Sequence, residues 1–189
     1  MTRRPSQRGA LLVEVMISVL VCAFAVLGLT AMQARATGAE FESLQRSQAL
    51  VLVEDMVARV STNRANAGDY VSASLLGDGN VVDCAGMTGA ALDLCEWGNL
   101  LRGSTETRAG ARVGAMQSAR GCVVRSSNTT HRFVISVVWQ GVVPTGAPPA
   151  PCGSGHALYS DSTLRRVASA TVCVAQLRDA ATAPAVPRC

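Results

Sequence analysis

Residues 8–18 read Arg8-Gly9-Ala10-Leu11-Leu12-Val13-Glu14-Val15-Met16-Ile17-Ser18, and the position of the single carboxylate in this run decides how the chain is built. Ahead of it lies a short polar leader carrying Arg3, Arg4 and Arg8 and ending at Gly9. Behind it, Val15 to Ala34 supply twenty residues with no charged side chain and no proline. At about 1.5 Å per residue such a helix spans roughly 30 Å, the hydrocarbon thickness of a bilayer. A carboxylate just inside that run costs roughly 2.5 to 3.5 kcal/mol if left alone in lipid, so Glu14 needs a positive partner or a place near the surface. A cut after Gly9 would make one: the new α-amino group at Ala10 is a cation that can lie beside Glu14 of a neighbouring helix.

This pattern resembles the class III signal of type IV prepilins and of type II secretion pseudopilins, which consists of a short basic leader, a glycine, an apolar residue and a glutamate at the fifth mature position. The resemblance implies cleavage between Gly9 and Ala10 by a prepilin peptidase, N-methylation of Ala10, and an assembly role for Glu14. Ala10 departs from the phenylalanine usual at the first mature position. An ordinary secretory signal wants an apolar core of about 7 to 15 residues and then a small-residue cleavage site; here the run is longer, and Thr30-Ala31-Met32-Gln33-Ala34 imitates such a site only loosely. A plain uncleaved anchor needs neither Gly9 nor Glu14.

The 189 residues suffice for that anchor and one modest domain. Formal charge is +4, of which the leader arginines supply three, so the remainder carries +1 and has no global pull towards a polyanion. Those arginines follow the positive-inside rule, which places the N-terminus in the cytoplasm and everything after Arg35 outside. All basic residues are arginine, which we read as coding bias. Of seven cysteines, Cys22 lies in the apolar run; Cys84, Cys95, Cys122, Cys152, Cys173 and Cys189 are an even set in a compartment that the topology makes oxidising. Three disulfides are expected. Their connectivity is one of fifteen; the short separation favours Cys84 with Cys95, and the other four stay open.

From Arg35 to about Asn63 a proline-free amphipathic helix is predicted, with Phe41, Leu44, Val51, Leu52, Met56 and Val60 as its apolar side and Glu40, Gln45, Gln48, Glu54, Asp55 and Arg59 as its polar side. Joined to the apolar run it makes one helix of roughly 80 Å at 1.5 Å per residue. Its end, Leu52 to Gly68, is similar to the stalk exit of PilV-type minor pilins, with the acidic pair Glu54-Asp55, Met56, Arg59 and Asn63-Arg64-Ala65-Asn66. The same residues also serve ordinary helix termination. Tyr70 to Gly89 reads as a loop whose Asp78, Asn80 and Asp83 lack the full calcium-ligand series. Ala90 to Leu101 is predicted as a helix that buries Leu94, Trp97 and Leu101, and Arg102 to Arg112 as a loop. Strands are predicted at Gly121–Arg125, His131–Gln140 and Arg165–Leu177. The proline-bearing excursion Gly141–Thr163 is to be tied down by Cys152, and the tail Ala180–Pro187 by Cys189.

Catalytic constellations are missing from the sequence: His131 and His156 have no HExxH context, no GxSxG or CxxC occurs, and a P-loop needs a lysine. The cysteine spacings do not match structural zinc. Arg102, Arg108, Arg112, Arg120, Arg125 and Arg132 face one acid, Glu106, within the same stretch; few aromatics interleave, which favours a solvated face or subunit contact over nucleic acid.

The expectation is therefore an α+β chain with a type IV pilin-like fold, a long N-terminal helix on a small antiparallel sheet, stapled by disulfides. Its parts are a leader (1–9), an assembly helix (10–34), a stalk helix (35–66) and a periplasmic domain (67–189). The resemblance implies a non-enzymatic minor pilin in a priming complex near the pilus tip. Its partners would be the prepilin peptidase, other minor pilins, the major pilin and a tip adhesin; it needs no cofactor or metal. It would sit first in the inner membrane as a single-pass protein and then in the pilus. The alternatives are a minor pseudopilin of type II secretion and a membrane-tethered binder of DNA or another ligand.

Overall fold

In a computed structural model, which describes residues 8–103, 107–108, 111–112, 116–127 and 131–174, the order of elements is a long helix, a short helix and an antiparallel sheet, the expected α+β architecture. Helix α1 (Arg8–Thr62) is helical at every residue, Gly28 and Gly38 included. The chain divides into two compact units, Met1–Ser43 and Leu44–Cys189. In the first, the large apolar side chains from Leu11 to Met32 are all exposed.

In the second unit α1 turns Gln45, Ala49, Val53, Met56 and Val60 inward, at spacings of four, four, three and four. Met56 and Val60 are buried as predicted, with Leu52 packed against them, but the rest of the face differs from the prediction. Leu44 and Val51 are 63% and 65% exposed, whereas Gln45 is 3% exposed, with neither end of its amide hydrogen-bonded. The helix has apolar residues on two sides, which hydropathy alone does not rank; the side carrying Ala49 and Val53 joins the core cluster with the sheet residues. After Thr62 the chain tightens into a 3₁₀ turn, Arg64–Tyr70, that buries Ala67 and Tyr70.

Helix α2 (Gly89–Leu101) buries Ala90, Trp97 and Leu101. The predicted loop beyond it contains a minimal ladder, β1 (Thr107–Arg108) against β2 (Ala111–Arg112). The main sheet is β3 (Arg120–Arg125), β4 (Arg132–Gln140) and β5 (Arg165–Cys173), antiparallel throughout and in the order β3-β4-β5. Cys122 pairs with Ser136 and Ser136 with Ser169, which sets the register. Strand alternation then sends Val123, Phe133, Ile135, Val137 and Trp139 into the main core with α1 and α2. Val138 faces the other way, into a small cluster with Cys152 and Tyr159. Strand β5 stops at Cys173 rather than Leu177; Val174 still donates its N–H to the His131 carbonyl at 2.9 Å, and the rest of the predicted strand, the tail and Cys189 lie outside the described residues.

The segment predicted as a loop after Tyr70 edges the sheet. Leu76 and Gly121 exchange backbone hydrogen bonds of 2.8 and 2.9 Å, and the Val123 N–H donates to Ser72 Oγ at 3.0 Å. These contacts bring Gly121 against α2. A Cβ at Gly121 would fall 2.1 Å from the Trp97 ring and 2.8 Å from a Leu101 methyl. From the other side, Trp97 Nε1–H donates to the Leu52 carbonyl of α1 at 2.8 Å.

Gly121→Ala is therefore expected to destabilise the domain by about 2 to 3 kcal/mol, the cost of overpacking a tight core. In a Trp97→Leu background, where the ring is gone, it should cost much less. Denaturant unfolding of the full chain in neutral detergent measures both, and an equal cost in the two backgrounds would contradict the contact.

Candidate functional site

Glu14 lies on the exposed surface of α1, and among the described residues its carboxylate has no hydrogen-bond or ion-pair partner. Gly9 and Ala10 are helical residues of the same segment, and the rest of the leader lies outside the described residues. The hydroxyls of the apolar run are satisfied internally: Ser18 donates to the Glu14 carbonyl at 2.7 Å and Thr30 to that of Leu27 at 2.9 Å. Such back-bonding lets a hydroxyl enter hydrocarbon without an open donor. Glu14 is the exception, a charge with no local partner on a helix long and apolar enough to cross a membrane. Cys22, in the same run, is a free thiol.

The second unit is held by cysteines and arginines. Cys84 is bonded to Cys95 and Cys122 to Cys152, while Cys173 is disulfide-bonded too. The Cys122–Cys152 bond carries the proline-rich excursion over the outer face of β3, where a groove of about 600 Å³ runs between Leu75, Val124, Val134 and Pro151. Arg165, 4% exposed, fixes the same excursion. Its guanidinium donates to the carbonyls of Pro148, Ala150 and Cys152, each at 2.8 Å. Prolines have no N–H to pair such carbonyls, so an arginine fork supplies the donors.

Arg59 is the hub at the stalk exit. It reaches Asp55 one turn earlier at 3.0 Å, and Asp93 and Glu96 of α2 at 3.0 and 2.8 Å. Burial alone would lower its pKa, but the bonds to Glu96, Asp55 and Asp93 outweigh that and raise it, so the guanidinium stays charged. The Tyr70 hydroxyl donates to Asp93 and accepts from Asn63 Nδ2 at 3.2 Å. Sequence reasoning placed Arg59 on the polar side of the stalk helix without a partner in α2; the i, i+4 spacing from Asp55 was the available signal, but the acids of α2 are more than thirty residues away.

The arginine-rich stretch does not form one patch among the described residues. Arg120 meets Asp78 at 3.1 Å and Arg102 donates to the Asp78 carbonyl, which ties the predicted oxygen-rich loop to β3 and α2. The hydrogen bonds from Arg120 hold the Asp78 carboxyl below its ordinary pKa. Arg125 lies elsewhere, over Phe133. Asp83 Oδ1 accepts from the Ala85 N–H at 3.0 Å. His156 is occupied as a cap, its Nδ1 accepting from the Leu158 N–H at 3.3 Å.

A protein-family model, Tt1218-like, described as type IV pilin Tt1218, matches residues 31–88, from the end of the apolar run through the stalk and its exit to the loop before α2. No curated protein and no solved structure matches the chain. The match, the long apolar helix and the small disulfide-bonded antiparallel sheet together support a type IV pilin. Type IV pilins are structural rather than enzymatic, and the family implies association with other pilus components.

Both tyrosines of the chain are held protonated. Burial raises the pKa of Tyr159 to about 12, and burial followed by the bond to Asp93 raises that of Tyr70. An unfolded phenol ionises near 10. Between pH 10 and 12 the folded state therefore binds more protons, and stability that is complete below pH 10 is lost as pH rises through this window. The tyrosinate absorbance of the folded chain should show no step at pH 10, and Tyr159→Phe should remove about 2 to 3 kcal/mol of the alkaline pH dependence. An ordinary tyrosinate step in the folded chain would contradict this.

Proposed function

We propose that the chain is a PilV-like minor pilin that takes part in initiating pilus assembly after a prepilin peptidase cuts between Gly9 and Ala10. The observation that carries the reading is Glu14, the only charged side chain between Arg8 and Arg35, which has no partner among the described residues and stands on the apolar part of the helix. In lipid that carboxylate is costly; beside the new amino terminus of a neighbouring subunit it is paired. The same helix is apolar enough for a membrane stage before assembly, with the domain in the periplasm. Leu44 and Val51, which the domain leaves exposed, are a surface on which neighbouring stalk helices can pack.

The minor-pilin assignment is supported by the stalk exit. Glu54-Asp55, Arg59 and Asn63-Arg64-Ala65-Asn66 fall within the matched residues, and Arg59 joins stalk to domain there. The partners on this reading are the prepilin peptidase, other minor pilins, the major pilin and a tip adhesin, and Ala10 is the amine to be methylated.

N-terminal sequencing of the protein from cells with active prepilin peptidase should begin at Ala10; a chain that keeps Met1 would overturn the processing claim. Glu14→Ala should leave membrane insertion intact and abolish incorporation into pili. Deletion should abolish piliation and twitching. Normal pili with blocked protein secretion would instead assign the chain to a type II secretion pseudopilus.

A further inference from the structure

Where α1 gives way to the 3₁₀ turn, the ends of β3, β4 and β5 close a cavity of about 430 Å³ whose wall includes Arg64, Asp69, Arg125, His131 and Phe133. All of these belong to the second compact unit. Arg125 is held from two sides. Its guanidinium carbon lies 5.6 Å from the centre of the Phe133 ring, and one terminal nitrogen sits 2.7 Å from the place a Cβ on Gly68 would occupy. An arginine stacked on an aromatic face keeps its in-plane N–H edge free for hydrogen bonds. Here the edge is unused: among the described residues, neither Arg125 nor Arg64 has a hydrogen-bond or ion-pair partner. Arg59, Arg120 and Arg165, by contrast, bond to carboxylates or carbonyls.

We propose that this cavity is a carboxylate-binding pocket in which Arg125 supplies a preorganised fork and Arg64 a second positive charge. The planar guanidinium matches a carboxylate through two parallel N–H···O bonds. Two arginines against the single acid Asp69 leave the wall net positive and so attractive to an anion, and the planar fork matches the planar carboxylate group. The Phe133 face is covered by Arg125, so no stacking surface is left for a nucleobase. The ligand is a side-chain carboxylate of a partner protein or a free small carboxylate. The inference rests on this domain's residues and is independent of the pilin reading.

The test uses the isotope-labelled full chain in zwitterionic micelles at constant ionic strength. Acetate, methyl phosphate, choline and a terminally blocked Ala-Asp-Ala peptide are titrated while the backbone amides of Gly68, Arg125 and Phe133 are followed. Acetate is expected to give saturable shifts, with choline giving none. Arg125→Gln should weaken acetate about tenfold, and Arg46→Gln, on the exposed stalk, should change nothing. Gly68→Ala keeps every charge but pushes the Arg125 fork aside, so it should weaken acetate several-fold; it decides the matter alone if Arg125→Gln fails to fold. Peptide binding at least as tight as acetate assigns the pocket to a protein side chain, and acetate binding alone to a small carboxylate. Non-saturable shifts, unchanged affinity in both variants, or tighter binding of methyl phosphate than of acetate would overturn the proposal.

Discussion

The indole of Trp97 holds the domain together, and the rest of its packing depends on how closely that ring can approach β3. It is fully buried, its ring lies against the backbone at Gly121, and its N–H ends on the Leu52 carbonyl of α1. One side chain thus fixes the positions of α1, α2 and the sheet. Its apolar body contributes burial, and its one polar atom is paired, so no desolvation cost is left uncompensated. The close approach exists because residue 121 has no Cβ. Gly121 also exchanges two backbone hydrogen bonds with Leu76, so the same residue sets the edge of the sheet.

Around that centre the chain uses arginine where tertiary structure leaves carbonyls or carboxylates exposed to each other. Arg59 gathers three acids from two helices, Arg165 gathers three carbonyls from a proline-rich loop, and Arg120 holds Asp78 beside the sheet. Each task needs several donors in a plane from one charged group, which a guanidinium has and an ammonium lacks. The lysine-free composition was read as coding bias; whatever its origin, the fold exploits the fork. Arg125 is the departure from this rule: it lies over Phe133, and among the described residues its fork has no partner.

Much of the architecture was legible from local signals. Absence of proline and charge marked the long helix, Leu94, Trp97 and Leu101 marked α2, and alternating β-branched residues marked β4, because each signal repeats within a few residues. The inward face of the stalk was legible only at its end, in Met56 and Val60. Both sides of α1 carry apolar residues, and the choice of Ala49 and Val53 over Leu44 and Val51 depends on what the sheet can accommodate. The ladder edge at Ser72–Leu76, the Arg59 hub and the Arg165 clamp were missed for the same reason, since each joins residues far apart in the chain.

By itself, then, the sequence determined the apolar helix with its lone carboxylate, the short second helix, the strands and the cysteine content, because these follow from the period and composition of contiguous residues. The tertiary structure alone decided which face of the stalk is buried, that Cys122 reaches Cys152, that Gly121 must be a glycine, and that among the described residues Arg59 is paired while Arg125 is not. Those outcomes depend on distances between segments that meet only after the chain has folded, and a one-dimensional pattern carries no record of them.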